Sequence, residues 1–190
     1  MEILNINTSR LQIRNLKLTD LNDFHVYRSN PEVTKYQGFD VMNLEQAEEF
    51  IHSQLSKKFG AAGEWVQYGI EHKQTGRIIG DCAIRLQVDD VRIAEIGITI
   101  SHLYQKNGFA KEALLGIMTF LFDLKNTHRI VEIVDAENIA SINLLKSVGF
   151  RQEGHFIENI FFKGKWGSEF QYALLKREWG AKPQILNQSR

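Results

Sequence analysis

Three groups of residues in this 190-residue chain carry side chains or amides that could do chemistry. The first is "YQKNGFAKEAL", Tyr104 to Leu114, where Gly108 stands at the start of a helical pattern. The first amides of a helix have no partner within it and carry the positive end of its dipole, so a loop entering such a helix holds an anion with backbone alone. Gly108 removes the Cβ that would block a close approach, while Gln105, Lys106 and Asn107 add donors and one cation ahead of it. That chemistry suits phosphate. The spacing alone suits equally well a glycine that only relieves a tight strand-to-helix turn. A Walker loop would need a longer glycine span followed by Lys and Ser or Thr, and a dinucleotide fingerprint would need two further glycines.

The second group is Asn138 and Ser141 in "NIASINLLKSVG", three apart at a helix start and so on one side of its first turn. An ordinary N-cap also accounts for this pair. The third is Glu95. In "IAEIGITIS" the residues Ala94, Ile96, Ile98 and Ile100 alternate with Glu95, Gly97, Thr99 and Ser101, which puts Glu95 on a face with glycine and hydroxyls. A carboxylate there can take a proton directly or through water. A solvated residue on an exposed sheet face accounts for Glu95 too, and Glu153 and Glu158 on a later strand are its rivals.

The elements that must position these groups follow from periodicity. "RLQIRNL" alternates as a half-buried strand, and "LTDLNDFHVYRSNP" reads as a short helix capped by Thr19 and stopped by Pro31. "NLEQAEEFIHSQLSKKF" places Leu44, Ala47, Ile51 and Leu55 on one helical face behind an Asn43 cap. "EWVQYGIEHKQTGRIIGDCAIRL" is a hairpin turning at "KQTG", followed by a strand from Ile93 to Ser101. From Ala110 the stripe Ala113, Leu114, Ile117, Met118, Leu121 and Leu124 predicts a long helix. "RIVEIVD" is a strand, "NIASINLLKSVG" a helix closed by Gly149, and "HFIENIFFKGKWGSEFQYALLKREW" a final pair of strands turning near "KGKWG". Residues 1–179 are expected to form one domain and 180–190 a flexible tail.

Composition narrows the classes. Twenty-three basic residues balance twenty-three acidic ones, which leaves no overall field for a nucleic acid or an anionic membrane. The single Cys82 lies in an apolar strand pattern and is expected to be a small buried hydrophobe. Six histidines without ligand spacing predict no metal. The start "MEILNINTSR" lacks the pattern of a signal peptide, and no segment approaches the roughly 20 apolar residues of a membrane span, so a cytoplasmic protein is expected.

These segments together resemble a known family. "QKNGFA" fits the Q/R-x-x-G-x-G/A phosphate-binding segment of the GNAT N-acetyltransferases, with Ala110 in the last small position, and "NIASINLLKSVGF" resembles that superfamily's second segment. With "RLQIRNLKLTDLNDFHVYRSNPEV" and "YALLKREW", the chain from Arg10 to Trp179 is most similar to the branch of the RimJ/RimL-type ribosomal-protein N-terminal acetyltransferases.

The resemblance implies an α+β, three-layer fold: a twisted, mostly antiparallel mixed sheet, splayed between its fourth and fifth strands and flanked by helices, with acetyl-CoA in the split. It implies a pyrophosphate on the amides of Gln105, Lys106, Asn107, Gly108, Phe109 and Ala110, next to Lys111. It implies a pantetheine arm bonded to the fourth strand, here Ile96, Gly97, Ile98, Thr99 and Ile100, with a free amide near Gly97 or Ile98 for the oxyanion. Asn138 would bind the cofactor arm, and Ser141 would reach the thioester sulfur as the candidate general acid. Many relatives use a tyrosine four residues before the "GF" glycine, but here that position is Leu145. Serine is a weak acid, so polarisation by Ser141 matters more than proton transfer. Homodimers are frequent in this family.

The activity so implied is an acyltransferase reaction: direct attack of a primary amine on the thioester, with Glu95 as the chosen base. An α-amine with pKa near 7.7 to 8.0 costs only about 1 kcal/mol to deprotonate at neutral pH, and a lysine-like amine near 10.4 costs roughly 4 to 5. A protein N-terminal α-amine is the leading acceptor. A polyamine or aminoglycoside is the enzyme alternative and would need an acidic cleft. A module that binds acyl-CoA without turnover is the alternative outside enzymology. Trp65, Trp166, Phe156, Phe161 and Phe162 are candidates for the acceptor pocket, and "WGSEF" departs from many relatives in having Ser168 where they carry aspartate, with Glu169 next.

Overall fold

A computed structural model describes residues 2–180. Eight strands form one sheet in the order β1-β2-β3-β4-β5-β6-β8-β7, where β1 is Asn5–Asn7, β2 Leu11–Asn15, β3 Val66–His72, β4 Arg77–Leu86, β5 Ile93–Ile100, β6 Arg129–Asp135, β7 Arg151–Phe162 and β8 Lys165–Leu175. Every neighbouring pair is antiparallel except β5 and β6, which run parallel. Helices α1 (Leu21–Arg28), α2 (Pro31–Thr34) and α3 (Leu44–Gln54) pack on one face. Helices α4 (Phe109–Thr119) and α5 (Ile139–Val148) cover the other, and α6 (Lys176–Gly180) follows β8.

Strand alternation builds both faces. On β4, Cys82, Ile84 and Leu86 enter the larger core beneath α4, while Ile78 joins Phe24, Tyr27, Ala47 and Ile51 beneath α1 and α3. Cys82 is fully buried, as its strand position predicts. Helix α4 buries Ala113, Leu114, Ile117 and Met118, and a π-turn at Phe120–Leu124 then rotates Leu124 out into solvent. That rotation ends the predicted stripe at Leu121.

The structure departs from the periodicity in four places. Strand β1 lies where the sequence shows no alternation long enough to signal it, so in chain order the split falls between β5 and β6 rather than the fourth and fifth strands. Thr19 does not cap a helix. It lies in a 3-10 turn, Leu18–Asp20, and the Asp20 carboxylate is taken by Arg14 (2.8 and 2.9 Å) and the Lys17 amide (2.8 Å). Pro31 opens α2 rather than only ending α1, because its fixed φ suits a first helical position and the Asn30 side chain caps the Glu32 amide at 2.9 Å. In α3 the Asn43 cap forms with Gln46 as a reciprocal pair, while of the predicted apolar face Leu44 and Leu55 stay exposed and Ala47 and Ile51 are sealed in. The tail expected at 180–190 lies outside the described residues from 181 onward. No described helix is long and apolar enough to cross a membrane.

Candidate active site

Strands β5 and β6 pair for only three residues, Ile93, Ala94 and Glu95 against Arg129, Ile130 and Val131. Beyond that point β5 keeps its full register with β4, out to Gly80↔Ile100, while β6 turns to β8 from Arg129↔Leu175 to Asp135↔Glu169. The edge of β5 from Ile96 to Ile100 that faces β6 therefore has no strand partner. A wedge opens there, and an extended chain with amide groups can complete the ladder.

The open edge runs toward the loop at Gln105–Lys111. Gly108 is the N-cap of α4 at φ 78°, and Lys106 at φ 63° is also left-handed. The structure thus supplies a second reason for glycine at 108: the backbone conformation itself. The first helical hydrogen bond runs from the Glu112 amide to Gly108 O (3.0 Å), which leaves the amides of Phe109, Ala110 and Lys111 ahead of it. Gln105 and Asn107 spend their side-chain donors on the loop itself, at Ile100 O (3.1 Å) and Gln105 O (2.9 Å). They shape the turn.

Arg10 stiffens the loop from outside. Its guanidinium donates to Asn107 O (3.1 Å) and to Glu112 (2.6 Å) and lies 4.3 Å from the centre of the Phe109 ring. Glu112 also accepts from Thr8, Ser9 and the Arg10 amide, and these bonds hold its carboxyl below the ordinary value against the opposing effect of burial. Burial is the largest single influence on that group, yet the bonds together outweigh it. Arg10, Lys106 and Lys111 are thus the cations around the free amides. The sequence reading missed Arg10, which lies about a hundred residues away in the chain.

The wedge opens into a cleft of about 500 Å³. Asn138 and Ser141 line it together, as their spacing predicts: Asn138 caps α5 through its side-chain oxygen on the Ser141 amide (3.2 Å). Leu145 is sealed in the core and offers the cleft nothing polar. Glu95, Ile96, Gly97 and Ile98 form the β5 wall. Glu95 sits opposite Arg85 in the β4–β5 register and is ion-paired with it, and the Arg85 guanidinium lies 4.7 Å from the centre of the Trp65 ring.

Of the predicted aromatics, Trp65 and Phe162 line the cleft. Phe156, Phe161 and Trp166 do not, and they stay exposed on the β7–β8 hairpin, with Phe161 and Trp166 packed edge to face at 5.5 Å. Glu153 and Glu158 also lie outside the cleft: Glu153 pairs with Arg129 and Arg151, and Glu158 sits at a bulge with φ 48°. Tyr36, Phe39, Phe50 and Gln67 complete the wall below α1–α3, and Glu169 of "WGSEF" completes the β8 side. The hairpin tip is tied across by Lys163, whose ammonium donates to Thr34 O (2.6 Å).

The residue that sequence reasoning missed most plainly is Glu132. It stands on β6 one position beyond the last paired residue, 5% exposed, and one of its oxygens, Oε2, is enclosed without a hydrogen-bond partner. Burial alone pushes its carboxyl up to about 8. The signal was legible: Ile130, Glu132 and Val134 share one strand face, and a charged residue in the middle of an inward face needs a reason.

With this geometry in place, three comparisons bear on the chain. Residues 10–151 match the family model of the acetyltransferase (GNAT) domain. An uncharacterized N-acetyltransferase p20 of Bacillus licheniformis is 32% identical over 90% of this chain and 96% of its own length. A spermidine N(1)-acetyltransferase of Vibrio cholerae is 27% identical over 95% of this chain and 98% of its own. Among solved structures, a GNAT-family acetyltransferase from Bacillus anthracis superposes with a TM-score of 0.83 at 25% identity, covering 92% of this chain and all of that one.

Proposed function

The chain belongs to the GNAT acetyltransferase family, and from that premise we propose that its acceptor is a small aliphatic amine bearing more than one positive charge. The enzyme is an N-acetyltransferase, and enzymes of this family use acetyl-CoA. One observation carries the choice of acceptor: every charged residue lining the cleft is a carboxylic acid, Glu95, Glu132, Asp135 and Glu169, and no lysine or arginine lines it among the described residues. Arg85 offsets Glu95, and Glu132 holds its proton near neutral pH, so Asp135 and Glu169 are the carboxylates left to face a cation. Tyr36, Phe39, Phe50 and Trp65 line the same cleft, and aromatic rings attract ammonium groups. A polyamine fits this wall better than a protein N-terminus of the RimJ/RimL kind, whose single charge needs no second anionic site. The Vibrio relative named for spermidine supports the same reading.

The donor side fits acetyl-CoA on two features: the free amides of Phe109, Ala110 and Lys111 among the cations Arg10, Lys106 and Lys111, and the unpaired edge from Ile96 to Ile100. The amides would hold the pyrophosphate and the edge the amide groups of the pantetheine arm. When bound, acetyl-CoA supplies an acetyl group activated as a thioester. Asn138 and Ser141 would orient its sulfur end, with the Ser141 hydroxyl polarising rather than protonating. Glu95, held in place by Arg85, would accept the proton of the reacting ammonium through water, while Asp135 and Glu169 would hold the second ammonium. A free amide at Gly97 or Ile98 would face the acetyl oxygen.

An acceptor screen with acetyl-CoA, read by mass spectrometry and thiol release, tests this. Spermidine-class polyamines should give the highest kcat/KM, monoamines and aminoglycosides less, and peptides with free N-termini least. Rapid turnover of such peptides without turnover of polyamines would overturn it. A Glu169→Gln variant should raise KM for a polyamine more than tenfold while leaving coenzyme A affinity within about twofold.

A further inference from the structure

Breaking a thioester releases a thiolate, and the cleft needs a group able to give it a proton. Ser141 is too weak an acid for that, and Leu145, in the next turn of the same helix, is apolar and buried. The titratable residues lining the cleft are Tyr36, on the α2 side, and the four carboxylic acids. Asp135 is engaged by the Glu137 amide (2.7 Å), Glu169 by Asn159 (2.6 Å) and Glu95 by Arg85. Glu132 alone among these acids has an enclosed oxygen without a partner.

Its position adds to this. Glu95 points to the face of the sheet occupied by α1–α3, whereas Glu132 shares a face with Ile130 and Val134, the face covered by α4 and α5. That is the side on which Ser141 meets the cleft. Glu132 is also the first residue of β6 past the closed end of the wedge, directly across from the first unpaired residues of β5. A chain laid along the open edge from the Gln105 loop toward Ile96 ends at this vertex.

We propose that Glu132 is the general acid of the reaction, donating its carboxyl proton to the sulfur that leaves. The assignment rests on the acetyl-transfer reading above. An ammonium on the acceptor first loses a proton to solvent by way of Glu95. As the neutral amine forms its C–N bond to the acetyl carbon and the C–S bond breaks, Glu132 passes its proton to sulfur. The resulting Glu132 carboxylate then takes the remaining surplus proton from the acetylated nitrogen. One acetyl group has moved, one proton has gone to solvent, and Glu132 ends as it began.

The surroundings keep the proton on Glu132 between turnovers. Across from it on β8 stands Tyr172, whose phenol donates to Gln152 (3.3 Å). From α5 come Asn138 and Ser141; from its own strand come Asp135 and Arg129, the latter engaged by Glu153. From β5 comes Glu95 with Arg85. None of these cations bonds Glu132 among the described residues, and its carboxyl rises to about 8 through burial. A thiol in water titrates near 8.5, so donor and acceptor are matched in the way that makes proton transfer efficient.

The test uses the full chain and its Glu132→Gln variant, which has nearly the same shape and no proton to give. In ligand-free protein labelled with carboxyl-13C glutamate, one side-chain resonance should titrate near pH 8 and vanish in the variant. Calorimetry should show coenzyme A bound within about threefold of wild type. With polyamine and acetyl-CoA saturating, kcat should fall by about a hundredfold or more. The wild-type decline of kcat above about pH 8 should be missing from the variant. Unchanged kcat, a retained alkaline decline, or loss of the rising limb instead would overturn the assignment while leaving the acetyltransferase reading intact. Failure of the wild-type protein itself to turn over any amine, with coenzyme A still bound, would overturn both.

Discussion

Glu95 and Glu132 stand on adjacent strands at the floor of one cleft, yet the fold treats them differently. Glu95 has Arg85 directly across the β4–β5 ladder, and Arg85 in turn rests on Trp65. Glu132 lies at the open wedge with one enclosed oxygen unpartnered and no cation bonded to it among the described residues, so burial raises its carboxyl to about 8. A third acid, Asp81, is buried completely and is surrounded: Arg28 grips both oxygens (2.6 and 3.0 Å), and Tyr27 (2.7 Å) and Gln67 (2.5 Å) add bonds. Burial by itself therefore does not set the chemistry of an acid in this protein. The presence or absence of a cation within reach does, because removing a carboxylate from water costs several kcal/mol unless something charged replaces the solvent.

The sharpest way to break the contrast is to turn Asp81 into a second Glu132. Arg28→Met keeps the volume and removes the cation, which leaves Asp81 fully buried and charged or forces it to take a proton. The expected cost is about 3 to 5 kcal/mol in urea unfolding at pH 7. A loss under about 1 kcal/mol would mean that Tyr27 and Gln67 suffice for Asp81 without Arg28.

Glu132 offers the reverse experiment. Its folded value, about 8, lies above the ordinary 4.5, so the protonated form is the one the fold favours. The sign follows: this group's contribution is intact below about pH 4.5, shrinks as pH rises, and is fully lost above about pH 8. At roughly 1.4 kcal/mol per unit the loss is on the order of 5 kcal/mol by pH 9. Subtracting the stability curve of wild type from that of Glu132→Gln should give a difference that grows between pH 5 and 8 in favour of the variant. A flat difference curve would remove the claim that burial strains this acid.

A smaller effect is expected where the ion pair is partly solvated. Arg85 keeps about a third of its side chain exposed, so Arg85→Met should cost only about 1 kcal/mol. It should act more on function. Without Arg85 the Glu95 carboxylate loses the partner that orients it, so kcat/KM for a polyamine should fall about tenfold. An unchanged kcat/KM would take Glu95 out of the acceptor's proton path.

How much of this was readable from the chain depends on whether a residue's partners are near it in sequence. The loop at Gly108 and the pair Asn138–Ser141 are local features, each a helix start with its cap inside a few residues of sequence; Asn138 and Ser141 line the cleft, and Gly108 caps the helix that follows the open strand. The alternation of β5 was equally local. Arg10 is tied to Asn107 and Glu112 across the sheet edge, which no periodicity reports. The acceptor wall is assembled from the segment after α2, from α3, from Trp65 and the start of β3, and from β8, and its aromatic residues are indistinguishable in sequence from core residues. Phe161 and Trp166 show the converse, two large aromatics of a strand pair that end up in solvent. Glu132 is readable in "RIVEIVD", because its phase with Ile130 and Val134 puts it on the strand's inward face.

The smallest effect in stability is also the cleanest probe of the donor site. Gly108 and Gly149 are both left-handed at helix ends, at φ 78° and 94°. Alanine at either position should cost about 1 kcal/mol for the backbone conformation alone. At Gly108 a Cβ would meet nothing nearer than Arg10 Nη2 at 3.6 Å, so the protein itself has room for it. The methyl group would instead occupy the approach to the amides of Phe109, Ala110 and Lys111. Gly108→Ala should therefore weaken coenzyme A by tenfold or more in calorimetry, whereas Gly149→Ala, with the same loss of thermal stability, should leave that affinity within about twofold. Equal effects on affinity would mean that loop stiffness, and not access to main-chain donors, governs binding, and the backbone cradle would lose its principal support.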